Sequence, residues 1–143
     1  MTAAVTAPAG LIAACVLAAA ALIHIYWAAG GRLGRGAALP ERDGRPVLRP
    51  SALGTLAVGF ALLVAAALIA VRSRVITAPA LDHLAAIAAW ALAVIFAARA
   101  IGDFRYVGFF KRVTGSRFAR LDSALFSPLC LALGTLIAIV AAS

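Results

Sequence analysis

Residues 52–71 read ALGTLAVGFALLVAAALIAV and contain no charged side chain. A helix needs about 20 predominantly apolar residues to cross the hydrocarbon core of a bilayer, and this stretch has that length. Three further apolar stretches of similar length occupy residues 9–29, 83–101 and 123–142. All four are continuous, whereas the strands of a membrane barrel alternate apolar and polar residues over about ten positions. The sequence therefore predicts an all-α bundle of four transmembrane helices.

The composition excludes an ordinary soluble domain. Hydrophobic residues make up 65% of the 143 residues, charged residues make up 13%, and the mean hydropathy is +1.07. Soluble domains carry about 25% charged residues. The first 8 residues contain no Lys or Arg, so the first apolar stretch lacks the positive segment of a secretory signal peptide and is expected to remain as a span. We expect one membrane domain over residues 1–143.

Basic residues are concentrated in or beside the loops that follow the first and third spans. Eleven of the 13 Lys and Arg residues lie there, and the other two, Arg72 and Arg74, follow the second span. Because positively charged loops are retained in the cytoplasm, the loops at about 30–50 and 102–122 are predicted to be cytoplasmic and both termini to be outside. The chain is then two helical hairpins in a multi-pass membrane protein.

The formal net charge of +8 does not indicate nucleic acid as a partner, because the basic residues flank the membrane and no recognition module is present. Anionic membrane lipids are the simpler partner. The many Ala and Gly residues permit close helix packing within one chain or between chains, so a homo-oligomer or a membrane-protein partner stays open. Four short helices are too few to enclose a wide aqueous channel, which argues against transport by a monomer.

Local signals predict where the helices end. Gly30 and Gly31 are expected to end helix 1, and Gly108 to end a third helix that extends past the membrane boundary. The first cytoplasmic loop shows no helix or strand period and is expected to be irregular. In the second loop aromatic and basic residues interleave, which is typical of segments in the headgroup region or of a belt that anchors the bundle. Gly115 is expected to interrupt any single helix there.

Three motifs resemble a bacterial family of small four-helix membrane proteins known only as a domain of unknown function. They are His24-Ile25-Tyr26-Trp27 followed by Gly30-Gly31, Arg99 to Lys111 (RAIGDFRYVGFFK), and Asp122 with Ser127-Pro128-Leu129-Cys130. The resemblance covers nearly the whole chain. It implies the four-helix fold, a site common to the family and a location in the bacterial cytoplasmic (inner) membrane. It implies no activity, so whether the protein is an enzyme stays open.

The polar residues of these motifs are predicted to lie at similar depth near the cytoplasmic ends of the helices. His24 lies about one and a half turns inside the end of helix 1. If helix 3 continues to Tyr106, spacings of four and three place Arg99, Asp103 and Tyr106 in one stripe, and Asp122 enters from the start of helix 4. Polar groups inside a membrane are costly unless paired and often mark sites. The ligand-binding candidates are His24, Tyr26, Trp27, Arg99, Asp103, Tyr106, Lys111, Asp122 and Phe126.

In one interpretation these residues bind a lipid or other amphipathic anion at the inner leaflet. Arg99 and Lys111 are suited to a phosphate or carboxylate, with Asp103 orienting Arg99. His24 is suited to proton exchange near neutral pH. The aromatic candidates are suited to packing against the apolar body of the ligand.

In the other interpretation the chain is an accessory subunit or a self-associating scaffold, and the polar residues only hold the helices together. Arg99 then pairs with Asp103, Asp122 caps helix 4, and His24 bridges helices. Tyr26 and Trp27 then belong to the aromatic belt at the membrane boundary.

Neither a cofactor nor a metal is predicted. One haem cannot use both histidines, because His83 and His24 differ in depth by about 20 Å at 1.5 Å per residue. Ligation of a metal by His24, Asp103 and Asp122 has no support from His-rich or paired-Cys spacing.

Overall fold

The structure, a computed structural model, describes residues 3–42 and 45–143. Four long helices run through these residues: α1 (Ala3–Ala28), α2 (Ala52–Arg72), α3 (Asp82–Ile101) and α4 (Arg117–Ala141). All four are long and apolar enough to cross a membrane. The predicted four-helix class is confirmed, and the chain is a multi-pass membrane protein. The sidedness of its loops and termini stays a prediction.

Helix packing follows the two predicted hairpins, since α1 packs most extensively on α2 and α3 on α4. Glycine permits close approach in each pair. A Cβ added at Gly59 of α2 would lie 3.2 Å from the carbonyl oxygen of Ala21 in α1, and one at Gly134 of α4 would lie 3.3 Å from the backbone nitrogen of Ala97 in α3. Small residues let helix backbones come together, and the resulting van der Waals contact stabilises helix pairs in lipid.

The two long loops, one between α1 and α2 and one between α3 and α4, lie at the same end of the bundle, which is termed the basic end. The first of these loops contains small elements of secondary structure. They are a 3₁₀ turn at Arg35–Ala37 and an antiparallel ladder of β1 (Glu41–Arg42) with β2 (Arg45–Pro46). The expectation of a wholly irregular loop is therefore wrong at these positions. Elements of two or three residues are too short to show a helical or strand period, which is why the sequence did not reveal them.

Two of the predicted helix breaks are confirmed. Gly30 follows the end of α1 with a φ of 96°. The N–H of Gly31 donates to the carbonyl of Tyr26 at 2.9 Å, which closes the last turn. Gly115 lies outside any helix, directly before Ser116, the N-cap residue of α4.

The prediction that α3 continues to Gly108 is wrong. The helix stops before Gly102, whose φ of 97° and ψ of −173° are accessible almost only to glycine. The chain then turns back, so that Gly108, with a φ of 86°, packs on Gly102, and a Cβ on either would collide with the backbone of the other. Phe109 N–H donates to the carbonyl of Ala100 at 2.9 Å. Residues 102–108 thus form a loop closed on itself, termed the glycine-closed loop.

The start of α4 also differs from the prediction. Its N-cap is Ser116, whose side chain accepts the N–H of Ala119 at 3.0 Å. Asp122 lies inside the helix, where the turn Asp122–Phe126 is π-helical. The interpretation of Asp122 as the cap of this helix is therefore wrong. A π-helical turn is rare and frequently occurs at functional sites.

Candidate functional site

Asp122 is the most highly bonded side chain at the basic end, and it is 0% exposed. Its Oδ1 accepts from Arg99 Nη2 at 2.7 Å. Its Oδ2 accepts from Lys111 Nζ at 3.1 Å, from the backbone N–H of Gly108 at 2.8 Å and from Ser127 Oγ at 3.1 Å. A buried carboxylate is stable only when it is paired in this way. Arg99, Lys111 and Asp122 are termed the ion cluster.

Lys111 has no N–H left for a ligand in this arrangement. Its side chain is 2% exposed. Besides Asp122, its Nζ donates to the carbonyl of Gly108 at 2.8 Å and to Ser123 Oγ at 2.7 Å. These three bonds use all three N–H groups of the ammonium. Lys111 therefore ties the second loop to the π-helical turn of α4.

Arg99 is paired with Asp122, so the predicted pairing with Asp103 is wrong. Because α3 ends before Gly102, Asp103 does not continue the helical stripe of Arg99. Asp103 instead accepts the backbone N–H groups of Arg105, Tyr106 and Val107 at 2.9, 2.7 and 3.0 Å. The exposed Asp103 carboxylate thus holds the glycine-closed loop in shape.

The hydrogen bonds of Asp103 stabilise its charged form. Partial loss of solvent raises its pKa, but the N–H groups of Val107, Tyr106 and Arg105 outweigh that effect and hold the pKa below its ordinary value of 3.8. A depressed pKa in the folded state means that the stabilisation is present above the unfolded value and is lost as the pH falls through the folded value. The loop should thus be fully stabilised at neutral pH.

Asp103→Ala is expected to lower the free energy of unfolding by about 1 kcal/mol at pH 7, as for the loss of a helix-capping aspartate. Thermal unfolding of both proteins in detergent should be followed between pH 7 and pH 3. The difference between them should be constant at neutral pH and should shrink below about pH 3.8, the ordinary pKa of an aspartate. A difference that is independent of pH would contradict a role for the ionised carboxylate.

His24 and Trp27 lie apart from the ion cluster, on the wall of a cavity between α1, α2 and the first loop. The Nδ1–H of His24 donates to the carbonyl of Ala20 at 2.8 Å, and its ring centroid lies 5.3 Å from that of Trp27. Among the residues that the structure describes, no hydrogen bond, ion pair or ring contact joins His24 to the ion cluster. The predicted single site is therefore divided.

Tyr26 and Trp27 fasten the beginning of the first loop. Trp27 Nε1 donates to the carbonyl of Leu33 at 2.8 Å, and the hydroxyl of Tyr26 accepts the N–H of Leu33 at 3.4 Å. The other aromatic candidates, Tyr106 and Phe126, each lie beside a residue that is close in the sequence. The guanidinium of Arg105 lies 5.1 Å from the ring centroid of Tyr106. The ring of Phe126 lies 6.2 Å from that of Phe118.

A cleft between the two long loops, with a volume of about 990 Å³, was not foreseen from the sequence. This cleft is termed the arginine cleft. Glu41 closes the cleft on one side, because the Oε1 of Glu41 accepts the N–H of Arg117 at 2.9 Å and so joins the first loop to α4. The charged lining residues of the cleft are Glu41, Arg42, Asp103, Arg105, Arg112, Arg117 and Arg120.

The two carboxylates of the arginine cleft are already bonded to backbone N–H groups, Glu41 to one and Asp103 to three. Arg120 donates to the carbonyl of Gly115 at 3.2 Å. Within residues 3–42 and 45–143, no carboxylate forms an ion pair with Arg105, Arg112, Arg117 or Arg120. The cleft therefore presents guanidinium groups that are free to pair with an anion.

The family model described as "Protein of unknown function (DUF3995)" matches residues 17–137. The chain belongs to this family. The resemblance seen in the sequence is thereby confirmed, and the DUF3995 match includes the ion cluster, the arginine cleft and the His24 wall of the cavity. No curated protein and no solved structure matches the chain.

Aromatic side chains lie beside the arginine cleft of this DUF3995 protein. Phe104 lines the cleft and is 56% exposed. Its ring centroid lies 6.4 Å from that of Phe110, which is 62% exposed. Exposed aromatic rings beside arginines are typical of protein surfaces in the headgroup region of a bilayer. A ligand with both an anionic head and apolar chains would match this combination.

Proposed function

We propose that this protein binds an amphipathic anion, most simply the phosphate headgroup of an anionic lipid, in the arginine cleft. The observation that carries the proposal is the set of five arginines around one cleft whose two carboxylates are already bonded to backbone N–H groups. The planar guanidinium forms paired hydrogen bonds to phosphate and carboxylate oxygens, which makes arginine well suited to such ligands.

The proposed site lies between the two long loops and the first turn of α4, although the sequence favoured Arg99 and Lys111 as the anion ligands. The buried Asp122 already neutralises part of the charge of those two residues, and it accepts hydrogen bonds from both. Four arginines of the cleft, Arg105, Arg112, Arg117 and Arg120, form no ion pair with a carboxylate of the described residues. Phe104 and Phe110 extend the same surface with apolar area for acyl chains.

Location supports a lipid ligand. The positive-inside rule assigns the basic end to the cytoplasmic face of the bacterial inner membrane. Anionic headgroups attract basic residues near that surface by about 1 kcal/mol for each Lys or Arg. A cleft with five arginines at headgroup depth is therefore suited to select anionic lipids over zwitterionic ones.

A second candidate function, an accessory subunit or scaffold, is favoured by the ion cluster. Inside the protein, Asp122 accepts hydrogen bonds from both Lys111 and Ser127, as expected of a network that holds helices and a loop together. In that case the protein would bind bulk lipid only, and the arginines would anchor the basic end by general attraction to the membrane surface.

Native mass spectrometry of the detergent-solubilised protein, with phosphatidylglycerol, cardiolipin or phosphatidylcholine added, tests the proposal. The variant Arg105→Gln/Arg117→Gln removes two guanidinium groups of the cleft and should weaken binding of the anionic lipids by about tenfold or more, the loss expected for at least one charge-assisted hydrogen bond to the bound headgroup. Arg45→Gln/Arg49→Gln is the matched control, since both residues belong to the first loop and neither lines the cleft. Its affinity should stay within about twofold of wild type.

Equal losses of lipid affinity in the two double variants would show that the arginines attract anionic lipids without a specific site. That result would favour the scaffold function. Competition with inorganic phosphate and glycerol 3-phosphate separates two sources of the same chemistry. If either displaces the lipid at low concentration, the cleft takes a free phosphate. If neither does, the acyl chains contribute to binding and a lipid is the ligand.

A further inference from the structure

We propose that the cavity below the first loop, termed the His24 cavity, binds a compact molecule with one acidic group and a small apolar body, such as an aromatic carboxylate. The cavity has a volume of about 180 Å³ and shares no lining residue with the arginine cleft. Residues of α1, the first loop and α2 line it, among them His24, Trp27, Arg35, Leu39, Thr55 and Val58. It is therefore a second site, and it does not depend on lipid binding in the cleft.

The size of the His24 cavity excludes a whole lipid or a large cofactor. Sites for drug-sized ligands occupy about 300–1,000 Å³. A volume of about 180 Å³ corresponds to about six water molecules at about 30 Å³ each. The space is thus suited to one small organic molecule.

The charge on the wall favours an acid. Arg35 is the charged residue that lines the His24 cavity, and no carboxylate lines it. One N–H of its guanidinium donates to the carbonyl of Pro50 over a long distance of 3.4 Å. A guanidinium has five N–H groups, so four remain for a ligand or solvent. A single carboxylate or phosphate would match this cation.

The imidazole of His24 supplies a second polar contact. Its Nδ1 lies 2.8 Å from the carbonyl oxygen of Ala20, which only accepts hydrogen bonds, so Nδ1 carries a hydrogen. Within the part of the chain that the structure describes, Nε2 has no hydrogen-bond partner. A neutral imidazole therefore offers an acceptor at Nε2, and a protonated one offers a donor to the ligand carboxylate.

The rest of the wall is apolar. Trp27, Leu39 and Val58 line it with large side chains, and the Trp27 ring is held in place by its bond to the carbonyl of Leu33. Thr55 is buried, and its hydroxyl donates to the carbonyl of Ser51 at 2.9 Å. Arg35 and His24 thus supply the polar groups of the wall, and the apolar body of a ligand would lie against Trp27 and Val58.

Trp27 reports occupancy directly once the other tryptophan is removed. The variant Trp90→Phe leaves Trp27 as the single tryptophan, because the chain has two. Benzoate, hexanoate and phenyl phosphate should be titrated into this protein in detergent, with benzyl alcohol as the neutral comparison. We expect a saturable change in Trp27 fluorescence with at least one of the acids and none with benzyl alcohol.

Further substitutions in the Trp90→Phe protein locate the binding. Arg35→Gln should weaken the response at least about tenfold, the loss expected for one charge-assisted hydrogen bond. Arg49→Gln, which removes an arginine of the same loop outside the cavity, should leave it unchanged. Val58→Phe fills the cavity and should abolish the response while thermal unfolding stays cooperative. No saturable response to any of the three acids, or equal responses in the Arg35→Gln and Arg49→Gln proteins, would overturn the proposal.

Discussion

Asp122→Ala is expected to lower the free energy of unfolding by about 3–5 kcal/mol, the usual cost of removing one partner from a buried ion pair. The substitution leaves the guanidinium of Arg99 and the ammonium of Lys111 together with no carboxylate between them. It also removes the acceptor of the Gly108 N–H, which fixes the glycine-closed loop to α4. Thermal unfolding in detergent, followed by circular dichroism, measures the effect.

Asp82→Ala is the matched control for that substitution. Asp82 forms an ion pair with Arg74 at 2.8 Å, but the two side chains are 37% and 61% exposed, so the pair should contribute less than about 1 kcal/mol. The double variant Asp122→Leu/Lys111→Met should recover part of the stability that Asp122→Ala loses, since it removes a buried cation together with the carboxylate. Equal destabilisation by Asp122→Ala and Asp82→Ala would show that the ion cluster does not hold the basic end together.

Gly102→Ala is expected to destabilise the protein by about 3 kcal/mol or more, because two separate costs add. Backbone strain at a φ of 97° costs about 1–3 kcal/mol for a residue with a Cβ. The new methyl group would also overlap the carbonyl of Val107 and the Cα of Gly108, and crowding of a packed site costs about 1–3 kcal/mol. The fall in unfolding temperature, relative to wild type in the same detergent, tests this expectation.

Gly115→Ala provides the comparison within the same loop. A Cβ at Gly115 would meet no atom within 4 Å, and its φ lies outside the left-handed region. Reduced freedom of the unfolded chain should make this substitution neutral or stabilising by up to about 1 kcal/mol. If Gly102→Ala behaved in the same way, the contact between Gly102 and Gly108 would not be needed to close the loop.

The ion cluster and the arginine cleft are connected through the second loop. Lys111 and the N–H of Gly108 bond to Asp122, and these contacts hold the second loop against α4. Arg105 and Arg112 belong to that loop, and the N–H of Arg112 donates to the carbonyl of Arg105 at 3.2 Å. A structural role for the ion cluster is therefore compatible with ligand binding in the cleft, because the cluster positions the loop that carries the arginines.

The sequence identified the candidate residues more reliably than it predicted which of them come together in the fold. Arg99, Lys111 and Asp122 do meet, and His24 does lie beside Trp27. The error was to extend α3 through Asp103, since a helical spacing of four is informative only where the helix continues. Nothing in the residue pattern distinguishes a glycine that is tolerated in a helix from one that ends it with a positive φ, as Gly102 does.

The membrane class, the number of spans and the concentration of arginine in two loops could be read from the sequence alone. These follow from the length and polarity of continuous segments, which are local properties of the chain. The folded chain was needed to reveal that Arg99 pairs with Asp122, 23 residues away, and that Glu41 bonds to Arg117, 76 residues away. Those contacts depend on how the folded chain brings separate segments together. Gly102 ends α3 with a positive φ, and the bond from the Gly108 N–H to Asp122 then holds the second loop against α4.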